Sequence, residues 1–407
     1  MASSIEWLSG GETWNPVRGC APCSPGCANC YATRSAIRQA KPGQAYHGLV
    51  KSVPAGKRRL PKWTGSAREV PEKLAEPLSW RARARKMRCV QEGWRAYSKH
   101  RTLDDACPYE SGTSDRERYE TGWHMRRLDH TPEPGLMGRL RVFVNSMSDL
   151  FHEDVTFEFI AAVYGVMAAC PDIDFLVLTK RPARMVEWYG WLYTHGISNP
   201  DIYRPDLQVC EFYAEAHTYG ELTWTPRDEP WPLPNVHVGV SVEDQQRADE
   251  RIPLLLKVPA TVRWVSAEPL LGPVDVSRWV GGPPIVTDPD LDAPDGASVD
   301  GLERVGARWK RVAGLDWLVC GGESGPGARP YDLSWPRSLI EQCQAAGVPV
   351  FHKQLGSGHR WAASLPGERK RWQPEGGKDG IVYRHPKGAD MAEWPADLRV
   401  REYPEAR

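Results

Sequence analysis

The chain has 407 residues, enough to bury a substantial core as one large domain or as two or three smaller ones. Its 52 Lys and Arg residues equal its 52 Asp and Glu residues, which excludes a protein that is basic throughout, so a nucleic-acid surface would have to come from local clustering. The apolar runs are far shorter than the roughly 18 residues of a membrane span, and the first residues lack the blocks of a signal peptide. These features predict a soluble, cytoplasmic protein without membrane contact.

Short apolar runs rich in β-branched residues recur along the chain and predict strands. Continuous rather than alternating apolarity is typical of parallel strands that are covered on both faces. A first strand near Thr13–Gly19 is followed by six such runs, which are Arg141–Ser146, Phe175–Thr179, Val236–Val242, Val262–Ala267, Trp317–Gly321 and Val348–Lys353.

Helical periodicity appears between several of these runs. The predicted helices are Tyr31–Lys41, Thr156–Cys170, Pro182–Trp191, Ala248–Val258 with a kink or a new turn at Pro253, and Trp335–Ala346. About seven strand–helix units of this kind predict an α/β fold with a parallel sheet, as a partial or full TIM-like barrel. A doubly wound open sheet is the alternative.

Long irregular segments interrupt this alternation. We expect a single α/β barrel domain over residues 1–356, with insertions at 44–140, 196–234 and 281–313 and a peripheral tail at 357–407. The first insertion is poor in strand signals, and the third is rich in Gly, Pro and Asp.

Four of the ten cysteines fall within one short segment, at Cys20, Cys23, Cys27 and Cys30. Ten cysteines with uneven spacing argue against a disulfide scaffold. Three thiolates of the CxxxCxxC triplet that begins at Cys23 can hold three irons of a 4Fe–4S cluster and leave the fourth iron open. A tetrahedral zinc site and unligated thiols are the alternatives, although four cysteines in one loop would be cramped for zinc.

The cysteine segment and five further motifs resemble a known family. The strings are ETWNPVRGC and SPGCANCYA, followed by RVFVNSMSDLFHEDV, LTKRPARM, VGVSVEDQQRADERIPLLL, VSAEPLLGP and VCGGESGPGARP. In this order, over roughly half of the chain, they resemble the three-Cys-motif proteins of phages and mobile elements, which in turn resemble radical SAM enzymes.

The resemblance implies a radical SAM-type partial barrel with a 4Fe–4S cluster and S-adenosylmethionine as cofactors. The implied reaction is reductive cleavage of S-adenosylmethionine into methionine and a 5′-deoxyadenosyl radical, and a dedicated partner protein is implied as well. The family's Cys-x6-Cys-x2-Cys pattern maps onto Cys20, Cys27 and Cys30, whereas the commonest radical SAM spacing selects Cys23 in place of Cys20. The closer family motif favours Cys20 as the third ligand.

Polar residues follow the predicted strands, where the reactive groups of a parallel barrel gather. Carboxylates among them suit the amine or ribose of S-adenosylmethionine, and cationic side chains suit its carboxylate. Each alone is equally well explained by helix capping, but as a set they predict a cofactor-binding site. The set is Asn145, Ser146, Asp149, Lys180, Arg181, Ser241, Glu243, Ser266, Glu268, Gly321, Gly322 and Glu323. The last three resemble the amine-binding GGE of radical SAM enzymes, but they follow the sixth strand rather than the second, so we do not transfer that role.

A basic stretch in the first insertion, residues 81–101, interleaves cations with aromatic side chains. This pattern favours a phosphate backbone with stacked bases, and it makes nucleic acid a candidate partner and substrate. A solvated helix face is the simpler interpretation. For the whole chain, the alternative function is a non-catalytic, zinc- or Fe–S-stabilised protein that binds nucleic acid or a partner. The residues are Arg81, Arg83, Arg85, Lys86, Arg88, Arg95, Lys99 and Arg101, with Trp80 directly before them and Trp94 and Tyr97 between them.

Overall fold

A curled half-barrel sheet of seven parallel strands forms the centre of the protein. The computed structural model describes residues 5–8, 10–56, 58–97, 103–127, 138–196, 205–218, 231–280, 298–299, 302–305, 308–311, 314–357, 359–360, 385 and 387–404. The strands are β1 (Glu12–Trp14), β2 (Leu140–Val144), β3 (Ile173–Thr179), β4 (Val236–Ser241), β5 (Val262–Ala267), β6 (Trp317–Cys320) and β7 (Val350–His352).

Each of these strands pairs in parallel with the next one along the chain. A doubly wound sheet would reverse the strand order at a switch point, and this order has none. The doubly wound alternative is therefore wrong, and the predicted α/β fold with a partial barrel is confirmed at that level.

Helices cover the sheet between successive strands. They are α1 (Tyr31–Ala36), α2 (Arg81–Ala96), α3 (Leu103–Ala106), α4 (Ser114–Arg127), α5 (Phe157–Ala168), α6 (Pro182–Gly196), α7 (Pro205–Thr218), α8 (Gln245–Leu255) and α9 (Ser334–Ala345). Each of the five predicted helices has a counterpart among them. Helix α8 begins earlier than predicted because the Asp244 side chain caps it, accepting from the Arg247 backbone N–H at 2.9 Å.

The predicted first strand divides in two at Asn15 and Pro16. Its first part is β1, and its second part, Val17–Gly19, pairs antiparallel with Ala67–Glu69 outside the barrel sheet. Proline has no backbone N–H for a ladder bond, so one continuous strand is not available here.

The first insertion contains more strand than we expected. A two-stranded antiparallel hairpin joins Val50–Ala55 to Arg58–Trp63, and the helices α2 and α4 follow it. The hairpin sequence lacks an apolar alternation because most of its side chains are exposed. Most of the other two predicted insertions lies outside the described residues. The described parts supply α7 and a small antiparallel sheet of Ser298–Val299, Leu302–Val305 and Arg308–Arg311.

The end of the chain, which the sequence assigned to a peripheral tail, bonds to β7. The backbone N–H of Glu402 donates to the Val350 carbonyl at 2.8 Å, and that of His352 donates to the Val400 carbonyl at 2.9 Å. The buried Trp394 packs on the His352 ring at 4.7 Å between centroids. These contacts give β7 a backbone neighbour on its outer side.

Alternate side chains of the strands face two separate cores. The larger core lies between the sheet and its helices, and the smaller one fills the concave face. In the smaller core, the Trp7 ring contacts Phe143, Trp264 and Trp317 at centroid distances of 4.9, 5.5 and 6.3 Å. Continuous apolar strands follow directly from burial on both faces. No helix in the described part of the chain is long and apolar enough to cross a membrane.

Candidate functional site

The four clustered cysteines lie in the loop after β1, at the carboxyl end of the parallel strands. Cys20 follows the short strand Val17–Gly19, Cys27 ends a 3-10 turn, and Cys30 immediately precedes α1. All four are free thiols, and Cys23 is the most exposed of them. The loop therefore presents its sulfur atoms where a parallel barrel gathers its reactive groups.

Arg181, after β3, holds the beginning of this loop. Its guanidinium donates to the Ala21 carbonyl at 2.8 Å and to the Cys20 sulfur at 3.8 Å. The same side chain pairs with Asp149 at 3.1 Å, and both of these residues are buried. Burial and the Asp149 charge raise the pKa of the Cys20 thiol to about 12, against the opposing effect of Arg181.

The turn after β2 is shaped around Asp149 and Asn145. The Asp149 carboxylate accepts from the Thr179 hydroxyl at 2.8 Å and from the Lys180 backbone N–H at 3.1 Å. Asn145 has a φ of 58°, a left-handed conformation that Asn tolerates better than most residues. Its amide oxygen accepts from the Val17 N–H at 3.3 Å, while its amide nitrogen is buried without a hydrogen-bond partner among the described residues. Such a donor is available to a bound molecule.

The neighbouring Ser146 and Tyr31 join this turn to α1. The Ser146 hydroxyl donates to Asn15 at 3.3 Å, and the Tyr31 hydroxyl donates to the Ser146 carbonyl. These bonds place Ser146 between the cysteine loop and β2, in a positioning role.

Glu243, after β4, binds the middle of the cysteine loop. Its fully buried carboxylate accepts from the Gly26 N–H at 3.1 Å and pairs with Arg251 of α8 at 3.0 Å. Arg251 also donates to the carbonyl of Ser241 at 2.8 Å. Burial opposes ionisation of Glu243, but the charges of Lys180 and Arg251 outweigh it and hold the pKa of the carboxyl below its usual value.

Glu323, after β6, binds the far side of the loop. It pairs with Arg329 at 2.6 Å and accepts from the Asn29 amide at 3.0 Å, while Arg329 donates to the Pro25 carbonyl at 2.9 Å. Burial opposes ionisation of Glu323, but the hydrogen bonds from Arg329 and Asn29 outweigh this effect and lower the pKa of the carboxyl. The preceding Gly322 leaves no space for a side chain, since a Cβ would lie 2.3 Å from the Leu355 carbonyl oxygen.

Glu268, after β5, is a carboxylate at this edge that forms no hydrogen bond or ion pair with the cysteine loop among the described residues. It pairs with Lys353, which follows β7, at 3.2 Å, and the Ser266 hydroxyl lies 3.5 Å from it. Burial raises the pKa of Glu268, against the charge of Lys353. A side chain at Gly321 would collide with this carboxylate, since its Cβ would lie 2.7 Å from the Glu268 oxygen.

The structure places all twelve predicted cofactor-binding residues at the carboxyl ends of β2 to β6. Three of the predicted carboxylates, Asp149, Glu243 and Glu323, each form an ion pair with an arginine. In each pair the arginine, the carboxylate or both also bond to the cysteine loop. Sequence reasoning missed two partners, Arg251 and Arg329. Their contacts could not be found from spacing, although Arg329 belongs to the GGESGPGARP string.

The four cysteines carry the donor atoms of a metal site, but their arrangement is not that of a formed one. Within the described residues, no group of three or more His, Cys, Asp or Glu side chains has an arrangement that could hold a metal ion. The donor chemistry fits nonetheless, because the Cys23 thiol donates to the Cys27 sulfur, and this contact lowers the pKa of Cys27 to about 4 and raises that of Cys23. Cys20 and Cys30 pack against one shared apolar cluster. A bound metal replaces thiol protons, so these contacts would give way to metal–sulfur bonds.

Comparison with known proteins identifies a family for this chain but gives no activity. A family model described as "Protein of unknown function (DUF5131)" matches residues 2–378. No curated protein and no solved structure matches the chain. Since the match covers most of the chain, the protein belongs to the DUF5131 family.

Proposed function

We propose that this protein is a radical SAM-type enzyme, which binds a 4Fe–4S cluster through its cysteine loop and cleaves S-adenosylmethionine. One observation carries the proposal. Four free thiols lie in a loop after the first strand of a sequentially ordered parallel half-barrel, and three ion pairs, two of them buried, join that loop to β3, β4 and β6. Such rigid support suits a loop that must hold several metal centres in one geometry.

Cys27 and Cys30 are the ligands common to both spacing patterns, and we propose Cys20 as the third. The Arg181 guanidinium lies 3.8 Å from the Cys20 sulfur. Hydrogen bonds to cluster sulfurs are one of the means by which a protein stabilises an iron–sulfur centre. Cys23 is exposed and has its hydrogen bond to Cys27 instead.

Bound together and supplied with one electron by an external reductant, the two cofactors would provide the reductive cleavage of the bond between the sulfonium sulfur and the 5′ carbon, which yields methionine and a 5′-deoxyadenosyl radical. The chain's own residues would bind and orient S-adenosylmethionine. Asp149, Glu243 and Glu323 belong to the arginine pairs that hold the cysteine loop, whereas Glu268 pairs with Lys353 away from that loop, so binding falls to Glu268 and to other groups at the edge. We assign the cationic amine to Glu268, the carboxylate to Lys180, and a polar edge of the molecule to the unpartnered Asn145 amide nitrogen.

Anaerobic reconstitution with iron and sulfide tests this proposal. The protein should turn brown, absorb broadly near roughly 400 nm, and release 5′-deoxyadenosine from S-adenosylmethionine under a strong reductant. Cys27→Ala and Cys30→Ala should lose the colour and the product, whereas Cys107→Ala, outside the loop, should keep both. Of Cys20→Ala and Cys23→Ala, only the first should lose the cluster.

Two results would contradict the proposal in different ways. A colourless protein with one tightly bound zinc would favour a zinc-stabilised binding protein. A brown protein that leaves S-adenosylmethionine intact would favour an Fe–S scaffold that binds a partner. If Cys23→Ala alone lost the colour, the cluster would stand and the assignment of Cys20 would fall.

A further inference from the structure

Charge is distributed very unevenly along this neutral chain. Residues 13–68 contain ten Lys and Arg residues and no Asp or Glu, so this segment carries a formal charge of +10. All 52 acidic residues lie elsewhere, which leaves the rest of the chain at −10. A segment of this length without a carboxylate can form ion pairs only with carboxylates elsewhere in the chain, as Arg18 does with Glu72. The cations that form no such pair remain available to an external anion.

Most of these cations lie on one exposed structure, which we name the basic arm. The basic arm comprises the turn Ile37–Gln39, the loop after it, and the hairpin of Val50–Ala55 and Arg58–Trp63. Its exposed cations are Arg38, Lys41, Lys51, Arg58 and Arg59. At about 3.3 Å per residue, the six-residue hairpin strands extend for about 20 Å.

The exposed cationic side chains of the basic arm form no ion pair with another described residue. Within the part of the chain that the structure describes, the side chains of Arg38, Lys51 and Arg58 have neither an ion pair nor a hydrogen bond. Three arginines of α2, the stretch that the sequence favoured for nucleic acid, differ in this respect, since Arg83, Arg85 and Arg88 each form an ion pair. Arg83 pairs with Glu12 at 2.9 Å, and Arg88 pairs with Asp172 at 2.7 Å. This contrast makes the basic arm, rather than α2, the better candidate for a surface that binds a polyanion.

The basic arm and the cysteine loop share one small core. Trp63 of the hairpin packs in the same apolar cluster as Ala32 of α1, and Cys20 and Cys30 pack against that cluster. Lys62 donates to the Ala28 carbonyl of the cysteine loop at 2.7 Å. A polymer bound along the basic arm would therefore run beside the candidate site.

We propose that the basic arm binds the phosphodiester backbone of a nucleic acid and presents it to the cysteine loop. This inference names the substrate class of the proposed enzyme and to that extent rests on the proposed function. A two-stranded ribbon is a shape that nucleic-acid grooves accept, and cations on both of its strands match a row of phosphates. An anionic membrane is disfavoured, because Leu60 is the one exposed large apolar side chain among the described residues of the hairpin.

Binding of a labelled oligonucleotide tests the inference. Fluorescence anisotropy of the full-length protein is measured with a single strand and with its duplex, over a salt range of about 50 to 200 mM. The triple variant Arg38→Ala, Lys51→Ala and Arg58→Ala should bind roughly 100-fold more weakly near 0.1 M salt, and the slope of log K against log salt should fall by about two to three.

The matched control removes the same charge from α2, as Arg83→Ala, Lys86→Ala and Arg95→Ala, and should change affinity little. The inference fails if both triple variants bind like the wild type, if the α2 variant alone loses affinity, or if the wild type binds phosphatidylserine vesicles but neither oligonucleotide. Circular dichroism checks that the variants fold.

Cluster content and 5′-deoxyadenosine release, measured on the same basic-arm variant without nucleic acid, should match the wild type. The binding assay needs neither cofactor, so a failure of the proposed enzyme chemistry and a failure of nucleic-acid binding remain distinguishable.

Discussion

Gly239 of β4 shows how one residue position is decided by its neighbour. The indole of Trp264, on the adjacent strand and facing the same concave core, occupies the space where a side chain would lie. Interiors are packed at crystal-like density, so a single added methyl group has to displace existing atoms. Glycine at this position is thus a consequence of the large tryptophan beside it.

Gly239→Ala is expected to lower the free energy of unfolding by about 1–3 kcal/mol, because its Cβ would lie 2.6 Å from the Trp264 ring. The control Gly190→Ala, on the exposed face of α6 with no atom within 4 Å of its Cβ, should raise that free energy by about 0.5–1 kcal/mol. Urea denaturation measures both. Equal effects at the two glycines would show that Trp264 is not tightly packed.

At the scale of elements, the pair of Glu243 and Arg251 joins β4, α8 and the cysteine loop. Glu243 is fully buried and Arg251 is 5% exposed, so neither charge has water to solvate it. The two ions bond to each other and to backbone groups of Gly26 and Ser241. Removing one partner would leave a buried charge without compensation.

Arg251→Met is expected to cost about 3–5 kcal/mol of unfolding free energy at neutral pH. The double variant Glu243→Gln and Arg251→Met should recover part of this loss, since it leaves no unpaired charge. Arg278→Met, which removes an exposed pair with Asp249, should cost less than about 1 kcal/mol. A double variant as unstable as Arg251→Met would show that packing, not charge, sets the cost.

The pH dependence of the same variant has a defined sign. The pKa of Glu243 is lowered on folding, so its ionisation stabilises the protein above the ordinary value of 4.5, and this stabilisation is lost as the pH falls through the folded value. The difference in unfolding free energy between wild type and Arg251→Met should therefore be largest near neutral pH and shrink below about pH 4.5. A difference that grows in acid would contradict this account.

At the scale of the whole molecule, Trp7 closes the concave face of the half-barrel. Its ring contacts side chains of β2, β5 and β6, which are distant from it and from each other in sequence. The short 3-10 helix Glu6–Leu8 positions this ring, and both Trp7 and Leu8 are buried. Trp7, which lies before the first strand, thus completes the concave core, to which several strands of the sheet contribute side chains.

Trp7→Ala is expected to lower the unfolding free energy by about 3–5 kcal/mol, since a large aromatic side chain would leave a cavity at this core. Tyr193→Ala removes an aromatic side chain that is 61% exposed and should change the unfolding free energy by no more than about 0.5 kcal/mol. Denaturation with urea compares the two. Equal stability of both variants would show that Trp7 is not part of the cooperative core.

The positions of the strands and helices were largely readable from the sequence. The runs Val262–Ala267 and Trp317–Gly321 match β5 and β6 almost to the residue, because parallel strands buried on both faces must be continuously apolar. The site's location followed from the same reasoning, since residues after successive parallel strands meet at one edge. The hairpin after Val50 was missed, because exposed strands rich in Lys, Arg and Pro lack an apolar period.

What the sequence by itself determined was a charge-balanced composition, the βα alternation and a cluster of four thiols beside a set of polar strand ends. Only the tertiary structure decided that the strands are sequentially ordered and which carboxylates are neutralised by which arginines. The physical reason is distance along the chain. Local patterns report burial and periodicity, whereas a bond such as that between Gly26 and Glu243, 217 residues apart, exists only once the sheet has brought its strand ends together.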